Sequence, residues 1–342
     1  MKAARMHESG GVEKFLYEDA PDPEVGHNDV LVRVKACALN HLEAWAAKAG
    51  AGTVFPRPRI LGSDVAGVVE AFGDAVTGVE VGSEVMLQPG IRCGNCQACL
   101  EGNDNLCPSY SILGQRFDGG LAELMAVPVV NLIAKPENLS FEEAAAVPLT
   151  FVTAWHMMVT RAGIRQGETV LVNAAGSGVG VAAIQTAKLF AARVIASASS
   201  DAKLAKAREL GADDVVNYNT SDLADEVRRL TGGRGVDLVV ENVGGHIFEA
   251  SVRALARGGR LVTCGATAAP EATVNVTRFF LGHQTILGSF MGTKAELLKV
   301  IPYLRSGQLK PVVDRVYPLS QIRDAVQRML DREQFGKIVL VP

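Results

Sequence analysis

Apolar residues follow two different patterns along the chain. Between residues 29 and 88, short alternating runs such as DVLVRVKACAL and DVAGVVEAFG are separated by Gly, Pro and Asp, which is typical of a strand-rich, barrel-like domain. From Glu168 onward, near-continuous apolar runs alternate with helical segments, beginning with the strand ETVLVNAA and the helix GVAAIQTAKLFAA. This second pattern predicts a parallel sheet covered on both faces, which is a doubly wound α/β fold.

The pattern also suggests where the two domains divide. Near Ser140, SFEEAAAVPL predicts a helix with a serine N-cap and an acidic first turn. The tail predicts two helices, AELLKVIPYLRSG and QIRDAVQRML, and two strands, PVVDRVYPL and KIVLVP. These strands need a partner sheet, and the first domain is the candidate. We therefore predict one domain from residues 1–140 and 290–342, and a second from 141–289.

Length and charge restrict the class of protein. A chain of 342 residues suits two domains, and a net charge of -3 with a pI near 6.1 gives no general attraction to nucleic acid or to anionic membranes. No apolar run approaches the roughly 18 residues of a membrane helix, and no apolar signal segment stands at the start. These features predict a cytoplasmic protein.

Four cysteines form the most specific motif of the chain. Cys93, Cys96, Cys99 and Cys107 stand in CGNCQACLEGNDNLC, a spacing that allows four thiolates to surround one zinc ion. With every position taken by protein sulfur, such a zinc is structural, and residues 90–108 form its lobe. Disulfides suit small secreted domains instead, and an iron–sulfur cluster has only weak support from Cys107-Pro108.

A glycine-rich turn predicts a dinucleotide site. The strand VLVNAA runs directly into a short loop and a helix, so backbone N–H groups and the helix dipole face an anion such as a pyrophosphate. The third glycine arrives one residue too early for a literal GxGxxG, so the strand–turn–helix context carries the prediction. The residues expected to bind the cofactor here are Ala175, Gly176, Ser177, Gly178, Val179 and Gly180.

The next strand indicates which nucleotide is preferred. An NAD site places a carboxylate after this strand, but RVIASAS ends in small residues. Asp201 is better placed in the first turn of the following helix, behind Ser200 as N-cap. Ser199, Ser200 and Lys203 would suit a 2′-phosphate, which favours NADPH over NADH, although Lys203 could equally be a solvated surface lysine.

Taken together, these motifs resemble the medium-chain dehydrogenases/reductases, the superfamily of zinc alcohol dehydrogenases and quinone oxidoreductases. The resemblance covers essentially the whole chain and rests on MKAARMHESGG, LGSDVAGVVEAFG, the cysteine lobe, DGGLAEL, AAGSGVG, ENVGG and FGKIVLVP. It implies a GroES-like catalytic domain around a Rossmann domain, an active site in the cleft between them, a structural role for the cysteine lobe, and a homodimer or homotetramer. We further expect Gly265, Phe290, Met291 and Lys337 at the cofactor.

The chain departs from zinc alcohol dehydrogenases at their catalytic metal. The positions that match the two cysteine ligands of that metal hold Asn40 and Leu149, and the matching His-Glu pair reads Ser63-Asp64. An amide, an alkyl group and a hydroxyl thus replace two thiolates and an imidazole, so the usual zinc site cannot form. Here the chain resembles the quinone-oxidoreductase branch, whose members commonly have Asn at the first position and lack a catalytic metal. A rebuilt metal site from Cys37, His41 and Asp64 is an alternative.

Without a metal, an acceptor that spreads negative charge is the easier substrate. We predict reduction of a quinone or an α,β-unsaturated carbonyl, with Asn40 and Ser63 as hydrogen-bond donors to the developing oxyanion. Asp64 or Glu43 could orient Asn40 or relay a proton, but the role we favour for Asp64 is that of a structural acid that receives a hydrogen bond or an ion pair. Further candidates are a donor, Gln115, and apolar pocket walls at Trp45, Phe55, Phe117, Phe151, Phe290 and Met291. Two other functions stay open: a zinc-dependent alcohol dehydrogenase with an atypical site, and an NADPH-binding sensor with little turnover.

Overall fold

The chain forms two compact units in a computed structural model that describes residues 1–47 and 58–342. Unit 1 comprises Met1–Leu149, Thr293–Arg305 and Pro311–Pro342, and unit 2 comprises Thr150–Gly292 and Ser306–Lys310. The described strands are, in chain order, β1 (Lys2–Met6), β2 (Phe15–Asp19), β3 (Asp29–Ala38), β4 (Arg59–Ile60), β5 (Asp64–Phe72), β6 (Glu84–Leu87), β7 (Gly90–Ile91), β8 (Ser111–Ile112), β9 (Leu124–Pro128), β10 (Leu132–Ala134), β11 (Thr169–Val172), β12 (Arg193–Ala198), β13 (Asp214–Asn217), β14 (Val236–Glu241), β15 (Leu255–Thr263), β16 (Thr285–Gly288), β17 (Val313–Pro318) and β18 (Lys337–Val341).

The described α-helices connect these strands. They are α1 (His41–Ala47), α2 (Gln97–Leu100), α3 (Phe141–Ala145), α4 (Pro148–Trp155), α5 (Gly178–Leu189), α6 (Asp201–Glu209), α7 (Leu223–Leu230), α8 (Gly245–Ala254), α9 (Val276–Leu281), α10 (Lys294–Arg305) and α11 (Ile322–Leu330). A π-helical turn, His156–Arg161, continues α4. As expected, Ser140 caps α3, and the side chains of Ser140 and Glu143 bond each other's backbone N–H groups.

Unit 1 is built on a seven-stranded sheet. Its order is β10-β6-β5-β3-β18-β17, and β9 also pairs with β3. Alternate residues of β3, including Val30, Val32 and Val34, are buried, which is the period-2 pattern of a half-buried strand. The two tail strands join this sheet as the sequence predicts, since β18 pairs with β3 and β17 pairs with β18. Smaller sheets of β2-β1-β4 and β7-β8 complete the unit.

Unit 2 has six parallel strands in the order β13-β12-β11-β14-β15-β16. This is the strand order of the doubly wound dinucleotide fold, in which the chain reverses direction across the sheet between β11 and β14. The carboxyl ends of β11 and β14 therefore lie side by side. Ligands bind such sheets at this edge.

The unit boundaries differ by a few residues from those predicted. Helix α3 packs on β3, β5 and β18, so residues 141–149 belong to unit 1 instead of unit 2. At the other end, residues 290–292 belong to unit 2. The segment Ser306–Lys310 also joins unit 2, because the Gln185 side chain accepts from the Lys310 backbone N–H and donates to its carbonyl, each at 2.8 Å.

Candidate functional site

Three strand ends in unit 1 bring polar side chains together. β3 ends at Ala38, which lies opposite Asp64 at the start of β5 and opposite Val339 near the start of β18. Antiparallel pairing places the end of one strand beside the beginning of its neighbour. Asn40, just past β3, therefore meets Asp64 and Lys337, the first residues of β5 and β18.

These three side chains form a hydrogen-bonded set that we call the Asn40–Asp64–Lys337 cluster. The Lys337 Nζ lies 2.8 Å from Asp64 Oδ2 and 2.5 Å from Asn40 Oδ1, and Asn40 Nδ2 donates to Asp64 Oδ2 at 3.0 Å. The second carboxylate oxygen of Asp64 accepts from the backbone N–H of Leu149 at 2.8 Å. All three side chains are buried, with at most 8% of any residue exposed. An ion pair so enclosed is held by its hydrogen bonds.

Glu43 supports the cluster from helix α1. Its Oε2 accepts from the Asn40 backbone N–H at 2.6 Å, and its Oε1 accepts from the Gly62 N–H at 3.2 Å. Burial raises the pKa of Glu43 to about 7, although the Asn40 N–H and the charge of Lys337 act in the opposite direction. Glu43 thus fixes the turn before α1 and the turn before Ser63.

Ser63 is fully buried, and its Oγ has no hydrogen-bond partner within the described part of the chain. A buried hydroxyl without a partner is costly. The structure thus brings together Asn40, Asp64 and residue 149, but it does not hydrogen-bond Ser63 to them.

The alternative metal site at Cys37, His41 and Asp64 is not supported. Cys37 lies within β3, whereas His41 begins α1, and burial raises the pKa of the Cys37 thiol well above its usual range. Among residues 1–47 and 58–342, the only group of three or more His, Cys, Asp or Glu side chains with metal-binding geometry is the cysteine quartet.

The cysteine quartet fits a zinc ion. The Sγ atoms of Cys93, Cys96, Cys99 and Cys107 all lie within 4.8 Å of one another, with 3.9 Å between Cys93 and Cys99 and 3.5 Å between Cys93 and Cys107. Zinc–sulfur bonds of about 2.3 Å in a tetrahedron need sulfur atoms about 3.8 Å apart. Backbone N–H groups of Asn95 and Cys96 lower the pKa of Cys93 to about 6, whereas burial raises the pKa of Cys99 to about 12. A bound zinc ion would deprotonate both thiols.

The glycine-rich turn of unit 2 fits a dinucleotide. Ser177 caps α5 by accepting from the Gly180 N–H at 2.9 Å, which leaves the first N–H groups of the helix available to an anion. A Cβ on Gly180 would lie 2.4 Å from the Ala174 carbonyl oxygen, so only glycine allows this close packing. Ala174 itself has a positive φ of 46°, a strained conformation for a non-glycine residue.

Asn242 also belongs to this edge of the sheet, and the sequence analysis did not assign it a role. Its Nδ2 donates to Ser177 Oγ at 3.1 Å, while its buried Oδ1 has no hydrogen-bond partner within the described part of the chain. Gly265 lies beside it, since a Cβ there would be 3.9 Å from the Asn242 Cα. The available signal was its position in ENVGG, directly after β14.

The residues expected at the ribose follow β12. Ser200 precedes α6, as predicted, but its side chain makes no capping hydrogen bond. Asp201 stands in the first turn of α6 and accepts from Asn217 Nδ2 at 2.8 Å, and Asn219 Nδ2 donates to the Ser199 carbonyl at 2.8 Å. Lys203, half-buried, lies in the same turn.

The candidate pocket walls have different environments. Phe151 and Met291 are buried, and Met291 has a positive φ of 55°. Phe117 and Phe290 are more than half exposed. In α1, Trp45 packs at a tilted angle on His41, while Phe55 lies outside the described residues.

Comparisons with known proteins agree with both units. The profile of the alcohol dehydrogenase GroES-like domain matches residues 26–137, and that of the zinc-binding dehydrogenase family matches residues 178–306. A crystal structure of an NAD-dependent alcohol dehydrogenase is 48% identical with a TM-score of 0.95, over 100% of both chains. No helix among the described residues is long and apolar enough to cross a membrane.

Two further relatives have different named activities. An alcohol dehydrogenase of Geobacillus stearothermophilus is 34% identical over 94% of this chain and 95% of its own length. A quinone oxidoreductase of Homo sapiens is 27% identical over 100% of this chain and 98% of its own length. With both domain profiles matched and whole-length relatives at this level, the chain belongs to the zinc-type alcohol dehydrogenase family within the medium-chain dehydrogenases/reductases, and it is an NAD(P)-dependent oxidoreductase.

Proposed function

We propose that this protein is an NADPH-dependent reductase of quinones or α,β-unsaturated carbonyls. The observation that carries the proposal is the Asn40–Asp64–Lys337 cluster. Asn40 stands at a position where the family's zinc enzymes are expected to have a metal ligand, and Asp64 directly follows Ser63, which stands at another. Here an amide, a carboxylate and a lysine ammonium bond one another instead. The similarity to a quinone oxidoreductase is consistent with this arrangement.

The chemistry follows from what these groups can supply. Bound NADPH would supply a hydride, and the acceptor oxygen, which gains negative charge, would be protonated from solvent. Asn40 donates one amide hydrogen to Asp64 and has a second to offer, and the Ser63 hydroxyl is buried without a partner in the described structure. Two neutral donors stabilise an oxyanion less than a metal does. They suit acceptors whose charge is delocalised over a conjugated system.

Unit 2 contains residues suited to the cofactor. The turn Ala175–Gly180 would bind the pyrophosphate at the start of α5, and Asn242 and Gly265 lie beside it. Ser199, Ser200 and Lys203 would bind a 2′-phosphate, aided by the N-terminus of the nine-residue α6. Phe290 and Met291 remain predicted cofactor contacts. Lys337 was predicted to be one as well, but its buried ammonium bonds Asn40 and Asp64, and we assign it to that cluster instead.

The test is a panel of acceptors with both cofactors. We expect NADPH-dependent reduction of benzoquinone and of simple enones, together with about one zinc per chain by elemental analysis. Saturated ketones of the same size serve as matched controls, because they lack the conjugation and should react at least tenfold more slowly. Fast oxidation of simple alcohols with untouched enones and quinones would contradict the proposal.

The cofactor preference has its own variant. We expect Lys203→Ala to raise the Michaelis constant for NADPH about tenfold, by loss of one charged contact to the 2′-phosphate, with little change for NADH. Lys206→Ala, at an exposed position of the same helix, is the control. Equal losses with NADPH and NADH would instead assign Lys203 a packing role.

Alcohol oxidation is the second candidate, favoured by the named activity of the 48% identical structure. If a catalytic zinc of unusual coordination supported it, elemental analysis would give about two zincs per chain instead of one. Metal content and the acceptor panel therefore separate the two candidates.

We also propose that the protein is a homodimer or homotetramer in the cytoplasm. β16 is an edge strand of the unit 2 sheet, and its partly exposed apolar residues could extend the sheet to a second copy. Free thiolates for zinc require a reducing compartment. Light scattering after gel filtration measures the oligomeric state, and a monomeric mass would contradict the proposed homodimer or homotetramer.

A further inference from the structure

We propose that Lys337 is a positioning residue, which orients the Asn40 amide and thereby determines how well Asn40 serves as a donor. This inference rests on the proposed function, in which Asn40 donates to the acceptor oxygen. It gives Lys337 a role in the reaction that differs from the predicted contact with the cofactor.

The hydrogen bonds of Asn40 permit only one orientation of its amide. An asparagine side chain has one acceptor oxygen and an NH₂ group with two hydrogens, and it can rotate to exchange them. The Lys337 ammonium can only donate and the Asp64 carboxylate can only accept. The oxygen must therefore face Lys337, at 2.5 Å, and the NH₂ must face Asp64, at 3.0 Å. One amide hydrogen is left for a ligand.

The charge of Lys337 also affects the amide directly. An ammonium bonded to the amide oxygen draws electron density from the nitrogen, which makes the remaining N–H a stronger donor. The effect is large only where water is excluded, and Lys337 and Asn40 are 5% and 8% exposed. Lys337 also compensates the fully buried charge of Asp64.

Without the ammonium, both orientations of Asn40 become accessible. Asp64 would still attract the NH₂ group, but the oxygen would lose the group that holds it. Asp64 would also become a buried charge without a countercharge, which is strongly destabilising. A variant that removes both charges, Lys337→Met with Asp64→Asn, avoids that penalty and leaves the amide unoriented.

The experiment is a double-mutant cycle on the full-length protein with benzoquinone as acceptor. The variants are Asn40→Ala, Lys337→Met, their combination, and Lys337→Met/Asp64→Asn. Three quantities are measured: the single-turnover rate of NADPH oxidation, the NADPH dissociation constant by fluorescence, and the melting temperature. Lys35→Met, at an exposed position of β3, is the matched control and should change none of them.

We expect Asn40→Ala and Lys337→Met each to slow the turnover step about 10- to 100-fold, with NADPH affinity within about twofold of the parent. Because Lys337 acts through Asn40, the combined variant should be no slower than Asn40→Ala alone. The variant Lys337→Met/Asp64→Asn should recover the melting temperature lost in Lys337→Met, but its turnover step should remain slow.

Three results would overturn the inference. One is that the losses of Asn40→Ala and Lys337→Met multiply in the combined variant. Another is that Lys337→Met weakens NADPH binding while the turnover step keeps its rate, which would make Lys337 a cofactor contact. The third is a parental turnover rate in the variant Lys337→Met/Asp64→Asn. Parental turnover in Asn40→Ala would instead contradict the proposed donor itself, whatever Lys337 does.

Discussion

Glu43 shows how one buried carboxyl makes unit 1 sensitive to pH. Both of its oxygens accept backbone N–H groups, yet burial raises its pKa to about 7, and Lys337 and Asp64 act on it in opposite directions. Its pKa in the unfolded chain is near 4.5, so below that pH the group is neutral in both states. As pH rises from about 4.5 through 7, the unfolded chain ionises first, and the stability of unit 1 should fall by about 3 kcal/mol.

We expect Glu43→Gln to remove most of this pH dependence, since glutamine does not titrate. The measurement is urea unfolding between pH 4.5 and 8 in a Trp155→Phe background, where Trp45 of unit 1 is the one remaining tryptophan. The change in unfolding free energy between pH 4.5 and pH 8 is compared between the two proteins, because the new amide also alters the hydrogen bonds. Glu137→Gln, at an exposed position, should keep the parental slope. An unchanged slope in Glu43→Gln would contradict the assignment.

Gly180 gives a prediction for the nucleotide turn. An alanine Cβ there would lie 2.4 Å from the Ala174 oxygen and 2.9 Å from the Ala175 Cα, both backbone atoms that cannot move aside easily. Gly180→Ala should therefore lower stability by about 1–3 kcal/mol and weaken NADPH binding, because the turn must shift. Melting temperature and NADPH fluorescence measure these effects. Gly288→Ala, where a Cβ meets nothing within 4 Å, is the control and should change neither.

The sequence identified candidate site residues better than it identified their hydrogen-bond partners. Asn40 stood out because it replaces an expected metal ligand, and Asp64 because it follows Ser63, which replaces another. The structure joins Asn40 and Asp64 by a hydrogen bond. The pairing of Lys337 with both was not predicted, because the three residues are far apart in sequence and only the register of β3, β5 and β18 brings them together. A lysine at the start of the apolar strand KIVLV was the available signal.

The zinc lobe consists of short secondary-structure elements that would not be stable alone. Within residues 90–108, α2 has four residues and β7 has two, and no residue of α2 is buried. Arg92 pairs with Asp104 at 3.2 Å, which is one tie within the lobe besides the four sulfur atoms. The metal is therefore expected to supply most of the order of the lobe.

We expect Cys99→Ser to abolish zinc binding and to lower the melting temperature by several degrees, as loss of one to two kcal/mol would do in a unit of this size. The measurements are zinc per chain by elemental analysis and a thermal scan. Cys264→Ala removes a cysteine from unit 2 and should retain one zinc. One zinc per chain in Cys99→Ser would show that the metal binds elsewhere.

The elements of unit 2 were predictable because each has a strong local signal. Apolar strands such as VDLVVE and capped helices such as α7, with Asp222 as N-cap, match the sequence pattern closely. Helix α9 was missed. Its residues VTRFFL expose Val276, Phe280 and Leu281 and show no clear apolar face, so only Asn275, whose side chain caps the helix, could have indicated it.

The two units differ in whether they are formed from one continuous stretch of the chain. Unit 2 is nearly continuous in sequence, and each of its strands pairs with neighbours in one parallel sheet. Unit 1 needs strands from both sides of unit 2, since β18 pairs with β3. Contacts over such long separations form slowly, because the intervening chain must first be closed into a loop.

We therefore expect unit 2 to fold first. In pulsed hydrogen exchange during refolding, amides of β11, β12 and β14 should gain protection before those of β3 and β18 that face each other. Amides of β5 and β6, which pair locally within unit 1, form the internal comparison. Simultaneous protection of all these strands would contradict the expected order.

Because β18 is the last strand to be synthesised, its position has a consequence for incomplete chains. Lys337 is translated only after the entire nucleotide-binding unit, so a chain interrupted upstream of β18 would retain the dinucleotide turn yet lack the ammonium beside Asn40. Under the proposed function, such a fragment would bind the reduced cofactor without transferring its hydride. Under the role proposed for Lys337, only molecules whose unit 1 sheet is complete would carry out the proposed reduction.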